Sequence, residues 1–327
     1  MGYRKLIKFG NSSHIITIPE TWLKKNNLNK GDTVYLEENG NNELVLMPEK
    51  KEYEEKLTEI LIDTQNKTIL EIKREIISAY INNFRIIRVI GSEVKNKFKE
   101  IRDILNNLLA IEIIEQTSDR IVAQDFLNIK QTSLNTIIRR IDTLIRSMLM
   151  DVNFQSPDEN YSNILIKDSD VNKLSYLAFR VIKKGLYDQN IAKEIEETSL
   201  SLLDSWLLVS TLEKIGDSIK RISRTSKAIP SNKKKIDDIE KLFDGLKLNY
   251  ETIMAAYYNH DAKKARQISE EKNKALFECA RFCEKHQEYR LNLVIKHFKD
   301  VHSFMGDISR IVHLVGVHNY ADYNKKV

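Results

Sequence analysis

Between Leu208 and Ile222 the apolar residues Leu208, Leu212, Ile215, Ile219 and Ile222 step by four, three, four and three. That spacing is one stripe of an α-helix turned toward a core. Glu213 and Asp217 stand four apart, so both carboxylates leave one face of that helix. At about 100° per residue this face lies nearly opposite the apolar stripe, which predicts a solvent-facing acidic pair able to hold a metal ion or a partner. Gly216-Asp217 returns ninety positions later as Gly306-Asp307, with Ser303 where Glu213 stands. The echo predicts a duplicated helical bundle whose second copy has lost an acid.

The rest of the composition suits this reading. Ten glycines and four prolines in 327 residues leave room for long helices. A hydrophobic content of 42% with 30% charged residues is that of a water-soluble chain with real cores. Apolar runs fall far short of the roughly 20 residues a membrane span needs, so no membrane insertion is expected. The polar stretch from Gly2 to Gly10 has no secretory character. Cys279 and Cys283 are the two cysteines, too few for a disulfide framework, and a cytoplasmic location is expected.

The net charge of +5 is distributed unevenly. Over residues 1–30, Arg4, Lys5, Lys8, Lys24, Lys25 and Lys30 face Glu20 alone, a surplus of five bases. Over residues 31–50, Lys50 faces Asp32, Glu37, Glu38, Glu43 and Glu49, a surplus of four acids. The basic end is a candidate phosphate-contacting surface; the plainer alternative is an ordinary solvated face. Ile15-Ile16-Thr17-Ile18 reads as a β-branched strand and Pro19 as the start of a short helix, Glu20 to Asn26. Thr33 to Leu36 and Glu43 to Leu46 read as strands flanking a turn at Asn39-Gly40-Asn41-Asn42. A unit this small makes a poor core alone, so it should dimerise.

Lys8-Phe9-Gly10-Asn11-Ser12, Ile16-Thr17-Ile18-Pro19 and Lys30-Gly31-Asp32-Thr33-Val34 carry a resemblance over residues 3–48 to the AbrB/SpoVT/MazE swapped-hairpin domain. The resemblance implies an intertwined homodimer that contacts DNA through Arg4, Lys5, Lys8, Asn11, Ser12 and His14. Asn26-Asn27 at the helix end and the modest basicity depart from the pattern. Some members of that family use the fold only to dimerise or to bind a protein.

Beyond a charged connection at 51–66, helix, strand, helix and hairpin follow up to Gln124, an αβαββ unit without a phosphate-cradling glycine loop. From Leu134 onward the chain reads as six helices: Leu134–Val152, Ser162–Leu186, Leu200–Lys227, Ile236–Tyr258, Asp261–Lys285 and Tyr289–Tyr320. Pro157, Pro230 and Lys233-Lys234-Lys235 fall at junctions, the lysines as a solvated connector. The expected fold is multidomain and mainly α: a small N-terminal swapped-hairpin β domain, a small α+β subdomain, then two tandem three-helix bundles. The expected domains are 1–50, 51–130, 131–229 and 230–327.

Leu212-Glu213-Lys214-Ile215-Gly216-Asp217, Asp168-Ser169-Asp170-Val171-Asn172 and the Arg139-Arg140 to Met148 opening resemble the PhoU family of phosphate-uptake regulators, over about residues 134–327. A swapped-hairpin head on such a body resembles archaeal members. The resemblance implies an iron or zinc site in the first bundle, held by Asp168, Asn172, Glu213 and Asp217. Asn172 stands where an acid is often found and brings an amide oxygen without charge. In the second half Glu271 and Asp307 remain, but Ala275 and Ser303 replace the other two. The alternative for these acids is a solvated face paired with Lys214, Lys220 and Arg221.

Cys279 and Cys283 share a helical face with His286 one turn on; small buried cysteines account for them better than zinc, which wants four ligands. Six of seven histidines follow residue 259, and His297/His302 and His313/His318 are each five apart, so neither pair shares a tight face. No nucleophile elbow, P-loop, dinucleotide fingerprint or His-Glu-x-x-His occurs, and no enzymatic activity is expected. The expected protein is a DNA-binding regulator of phosphate homeostasis. The rival is an adaptor that dimerises through its head and docks on a phosphate transporter or a sensor kinase.

Overall fold

The computed structural model describes residues 3–38, 43–49, 58–229 and 232–323. The turn at 39–42, Pro230, the charged stretch 50–57 and the side chain of His318 lie outside the described residues. The chain divides into two compact units, Met1–Lys56 and Leu57–Val327.

The first unit holds two separate two-stranded ribbons. Strands β1 (Ile7–Phe9) and β2 (Ser13–Ile15) pair antiparallel around Gly10, whose φ of +69° suits a residue without a Cβ. Helix α1 (Glu20–Lys25) follows, with Pro19 at its N-cap. Strands β3 (Tyr35–Glu38) and β4 (Leu44–Met47) form the second ribbon.

The second unit opens with an α+β part: β5 (Glu59–Asp63), α2 (Ile69–Ile81), β6 (Ile86–Ile90), α3 (Phe98–Asn106), β7 (Ile111–Gln116) and β8 (Arg120–Asp125). The sheet order is β5-β6-β8-β7, with β5 and β6 parallel and the remaining pairs antiparallel. Strand β5 corrects the expected αβαββ order to βαβαββ. Glu59-Ile60-Leu61-Ile62-Asp63 carries a short apolar run at the end of a charged stretch, with Ile62 fully buried. It pairs parallel with β6. The Thr68–Glu71 capping box starts α2, and Ile72, Ile76, Ile101 and Leu105 of the two helices seal one side of the sheet.

The helical part comprises α4 (Leu134–Asp151), α5 (Tyr161–Tyr187), the short α6 (Gln189–Glu194), α7 (Ser199–Ser226), α8 (Lys233–Tyr258), α9 (Ala262–Lys285) and α10 (Tyr289–Tyr323). Helices α4, α5 and α7 make one three-helix layer and α8, α9 and α10 the other. Helices α7 and α10 pack closely against each other, so a single apolar core runs through both layers. The stripe Leu208, Leu212, Ile215, Ile219 and Ile222 is fully buried there. Lys233, Lys234 and Lys235 form the first turn of α8 rather than a connector, because Asn232 caps that turn through Lys235 N and Lys235 pairs with Glu288. Cys279 is buried and Cys283 half-buried, both free; burial pushes the Cys279 thiol up to about 11. His302 is buried, which pushes it down to about 4. No helix among the described residues is long and apolar enough to cross a membrane.

One polar knot joins the α+β part to the helices. Arg180 of α5 is 1% exposed. Its Nη2 donates to Asp125 Oδ2 at 2.5 Å and its Nε to Asn83 Oδ1 at 3.1 Å. Arg85 Nη1 donates to the same Asp125 oxygen at 2.9 Å, and Leu127 N donates to Oδ1 at 3.0 Å. Asn83, at φ +64°, donates back to the Arg180 carbonyl at 3.2 Å. The guanidinium also lies 4.7 Å from the Tyr80 ring centre.

Candidate functional site

Two regions hold the residues singled out above. In the head, Lys8 sits directly opposite His14 across β1 and β2. Opposed residues share a face and neighbours along a strand alternate, so Lys8 and His14 mark one face of the ribbon. Ile7, Phe9, Ser13 and Ile15 mark the other. Arg4 and Lys5 precede β1, and Asn11 and Ser12 occupy the turn. All six are exposed, and Arg4, Lys5 and Lys8 form no ion pair among the described residues. The apolar face is uncovered as well: Ile7 is 54% exposed, Phe9 63% and Ile15 42%. Among the described residues of this unit none is buried.

In the body, Glu213 and Asp217 are only partly exposed to solvent. Both are half-buried in the groove between α7 and α5, a correction to the helical-wheel expectation. Gly216 between them is buried, and Val171 of α5 lies 3.5 Å from where a Cβ at 216 would stand. The helix is wrapped by neighbours on more than one side, so the face opposite its main stripe is also an interface. Lys220 Nζ donates to Asp168 Oδ2 at 2.8 Å and to Asp217 Oδ1 at 2.6 Å. Arg221 closes on Asp217 Oδ2 at 3.1 Å. Burial raises the Asp168 carboxyl, with Lys220 pulling the other way. Glu213 is raised by burial and then by Asp217 and Asp168. Tyr176 is raised by burial and then by Glu213. For Lys220 burial opposes the charge, but its two carboxylate partners outweigh burial and raise it.

This donor set does not fit a metal centre. A lysine ammonium stands between Asp168 and Asp217, where a cation would sit. Asn172 points its position into a different groove, between α5 and the α+β part. Among the described residues no three His, Cys, Asp or Glu side chains gather so as to hold a metal ion. In the second half Asp307 pairs with Arg310 at 3.0 Å and Glu271 accepts from Gln267 at 3.1 Å. The solvated pairing with Lys220 and Arg221 is the arrangement found, but more enclosed than a helix surface would give.

Lys220→Met leaves two carboxylates in a half-buried groove without their shared cation, and should cost about 2 kcal/mol at pH 7. Lys220 is raised on folding, so its stabilisation is complete below its ordinary 10.5 and lost as pH rises through the higher folded value. Asp168 and Glu213 are also raised, so protonating them costs less in the folded state than in the unfolded chain. The deficit of Lys220→Met should therefore shrink as pH falls below about 5 toward their ordinary 3.8 and 4.5. Urea unfolding of both proteins at pH 4.5 and 7 measures it; an equal deficit at both would contradict the network.

The head can be compared with known proteins. Residues 7–54 match the family model for antidote-toxin recognition MazE, a bacterial antitoxin. The head is MazE-like. No curated protein and no solved structure matches this chain. The MazE-like match covers both ribbons and α1, and so includes Lys8, Asn11, Ser12 and His14. Arg4 and Lys5 lie just before it.

Proposed function

We propose that the protein is a homodimeric DNA-binding regulator, with the MazE-like head as its contact and the helical body as the part that receives a signal. The observation that carries this is the two-faced β1–β2 ribbon: Lys8 and His14 on one side, bare apolar side chains on the other. A bare apolar face with no buried residue beneath it calls for a second copy of the head. Two copies bring two sets of Arg4, Lys5 and Lys8 to one duplex, and a weak contact repeated on a linked partner gains by effective concentration. His14, Asn11 and Ser12 beside them offer hydrogen bonds to phosphate or base edges.

The finer reading, control of phosphate uptake, rests on the likeness of Leu212–Asp217, Asp168–Asn172 and the α4 opening to PhoU proteins. In this reading the acidic groove is held by Lys220 rather than by iron or zinc, and the body signals through protein contact. The reading gives the chain no catalytic role.

The test is a fluorescence-polarisation titration against promoter-region and scrambled duplexes at two salt concentrations. Six phosphate contacts per dimer imply a slope of log K against log salt of about −5. Arg4→Ala/Lys5→Ala/Lys8→Ala should flatten that slope toward zero and weaken binding at least about 30-fold at roughly 0.15 M salt. No binding by an intact dimer at low salt, or a slope untouched by the triple substitution, would sink the reading and leave the adaptor.

A further inference from the structure

A groove of about 380 Å³ lies where α2, α3 and α5 meet, within the size range of small-ligand sites. Its floor is apolar, made by Ile69, Leu70 and Ile77 of α2, Ile104 of α3 and Leu108 just beyond α3. Leu70 is 54% exposed, an apolar side chain left uncovered at the groove. The walls carry opposite charges. Lys73 projects from α2, and Lys173 from α5; Glu100 and Asp103, three apart on one face, belong to α3. Among the described residues Lys73, Glu100 and Asp103 form no ion pair, and Lys173 reaches only Asp170 of its own helix, at 3.2 Å. So the lysines and the acids share a groove without neutralising one another.

That pattern selects a ligand. An anion would meet Glu100 and Asp103, and a cation would meet Lys73 and Lys173. A molecule with one ammonium, one carboxylate and an apolar body satisfies both walls and covers the floor. We propose that this groove binds a hydrophobic α-amino acid, its carboxylate toward Lys73 and Lys173, its ammonium toward Glu100 and Asp103, and its side chain on the apolar floor. Ser169 and Asn172 of α5 add a hydroxyl and an amide at the edge. This gives Asn172 a place in a ligand groove rather than at a metal. The site also touches Tyr176, whose ring packs on the α+β core and whose phenol feels Glu213, Asp168 and Asp217. Occupancy would therefore brace the α+β part against the helical body beside the acidic groove. The inference stands whether or not the head binds DNA.

The experiment is isothermal titration calorimetry of the full-length chain with L-phenylalanine and L-leucine, and with 3-phenylpropionate and 2-phenylethylamine as single-charge controls. A Kd on the order of 0.1 mM is expected for the better amino acid. Each control should bind at least about tenfold more weakly, since it leaves one wall unpaired. Lys73→Glu and Asp103→Lys, both at exposed positions and checked for fold by circular dichroism, should each weaken the amino acid by about tenfold or more. No binding of either amino acid at about 10 mM, a control that binds as well as the amino acid, or folded variants that bind unchanged would overturn the proposal.

Discussion

Asp125→Ala should destabilise the second unit by about 3–5 kcal/mol, the range for removing one partner of a buried charge pair. Arg180 and Arg85 converge on one Asp125 oxygen, and the Asp125 side chain is fully buried. Without the carboxylate, Arg180 keeps its charge at 1% exposure with Asn83 and the Tyr80 ring as company. Its Nη1 is already buried without a hydrogen-bond partner among the described residues. An arginine does not escape by losing its proton, so the cost is not relieved at ordinary pH. Arg180→Met should cost less than Asp125→Ala, because Asp125 retains Arg85 and the Leu127 amide. The double variant Asp125→Leu/Arg180→Met should recover part of the loss, since apolar groups of similar volume can replace a buried pair. Urea denaturation of the three variants measures all this. Asp125→Ala within about 1 kcal/mol of the parent would mean the knot is solvated and carries no such weight.

Phe9→Asp should abolish the dimer while leaving the helical body folded. Phe9, Ile7 and Ile15 form the bare face of the β1–β2 ribbon, and the head has no buried residue among those described. In a dimer that face is covered by the second copy, and a carboxylate placed there costs several kcal/mol, more than a small interface can spare. Sedimentation at about 10 µM, far below the Kd such a weakened interface would have, should show monomer for Phe9→Asp and dimer for the parent. The same substitution should remove DNA binding, because single heads lose the gain of linkage. The Arg4→Ala/Lys5→Ala/Lys8→Ala variant, by contrast, should stay dimeric. A dimer that survives Phe9→Asp would place the contact elsewhere and leave the bare face unexplained.

Helix positions were readable wherever one stripe sufficed: Leu208 to Ile222 in α7 is buried as its spacing requires. The opposite face was misplaced for a physical reason. A wheel drawn for one helix assumes one neighbour, whereas α7 touches α4, α5 and α10. Gly216 is buried beside Val171, at an ordinary contact distance for a Cβ there, so the glycine marks an interface without requiring one. The Arg180–Asp125 contact spans 55 residues, and an arginine in a helix reads as surface until its partner is placed. Asn83 in a left-handed conformation before a strand was its single local sign. In the head the short strands, Gly10 and Pro19 announce themselves through turn chemistry, and Lys8 opposite His14 follows from the register once the turn is known. Strand β5 is short, and its Ile60-Leu61-Ile62 run directly follows a charged stretch, which masks it until the parallel pairing to β6 is known.

Helices α7 and α10 bury Leu208, Leu212, Ile215 and Ile219 together with Val294, Phe298, Val301 and Met305 in one continuous interior. An ancestral duplication, if it built this body, has ended in fusion. Neither half could leave the other without exposing that seam to water. The two halves should therefore melt in one transition, and a cut in the α7–α8 connection would nick the chain without releasing a separately stable fragment.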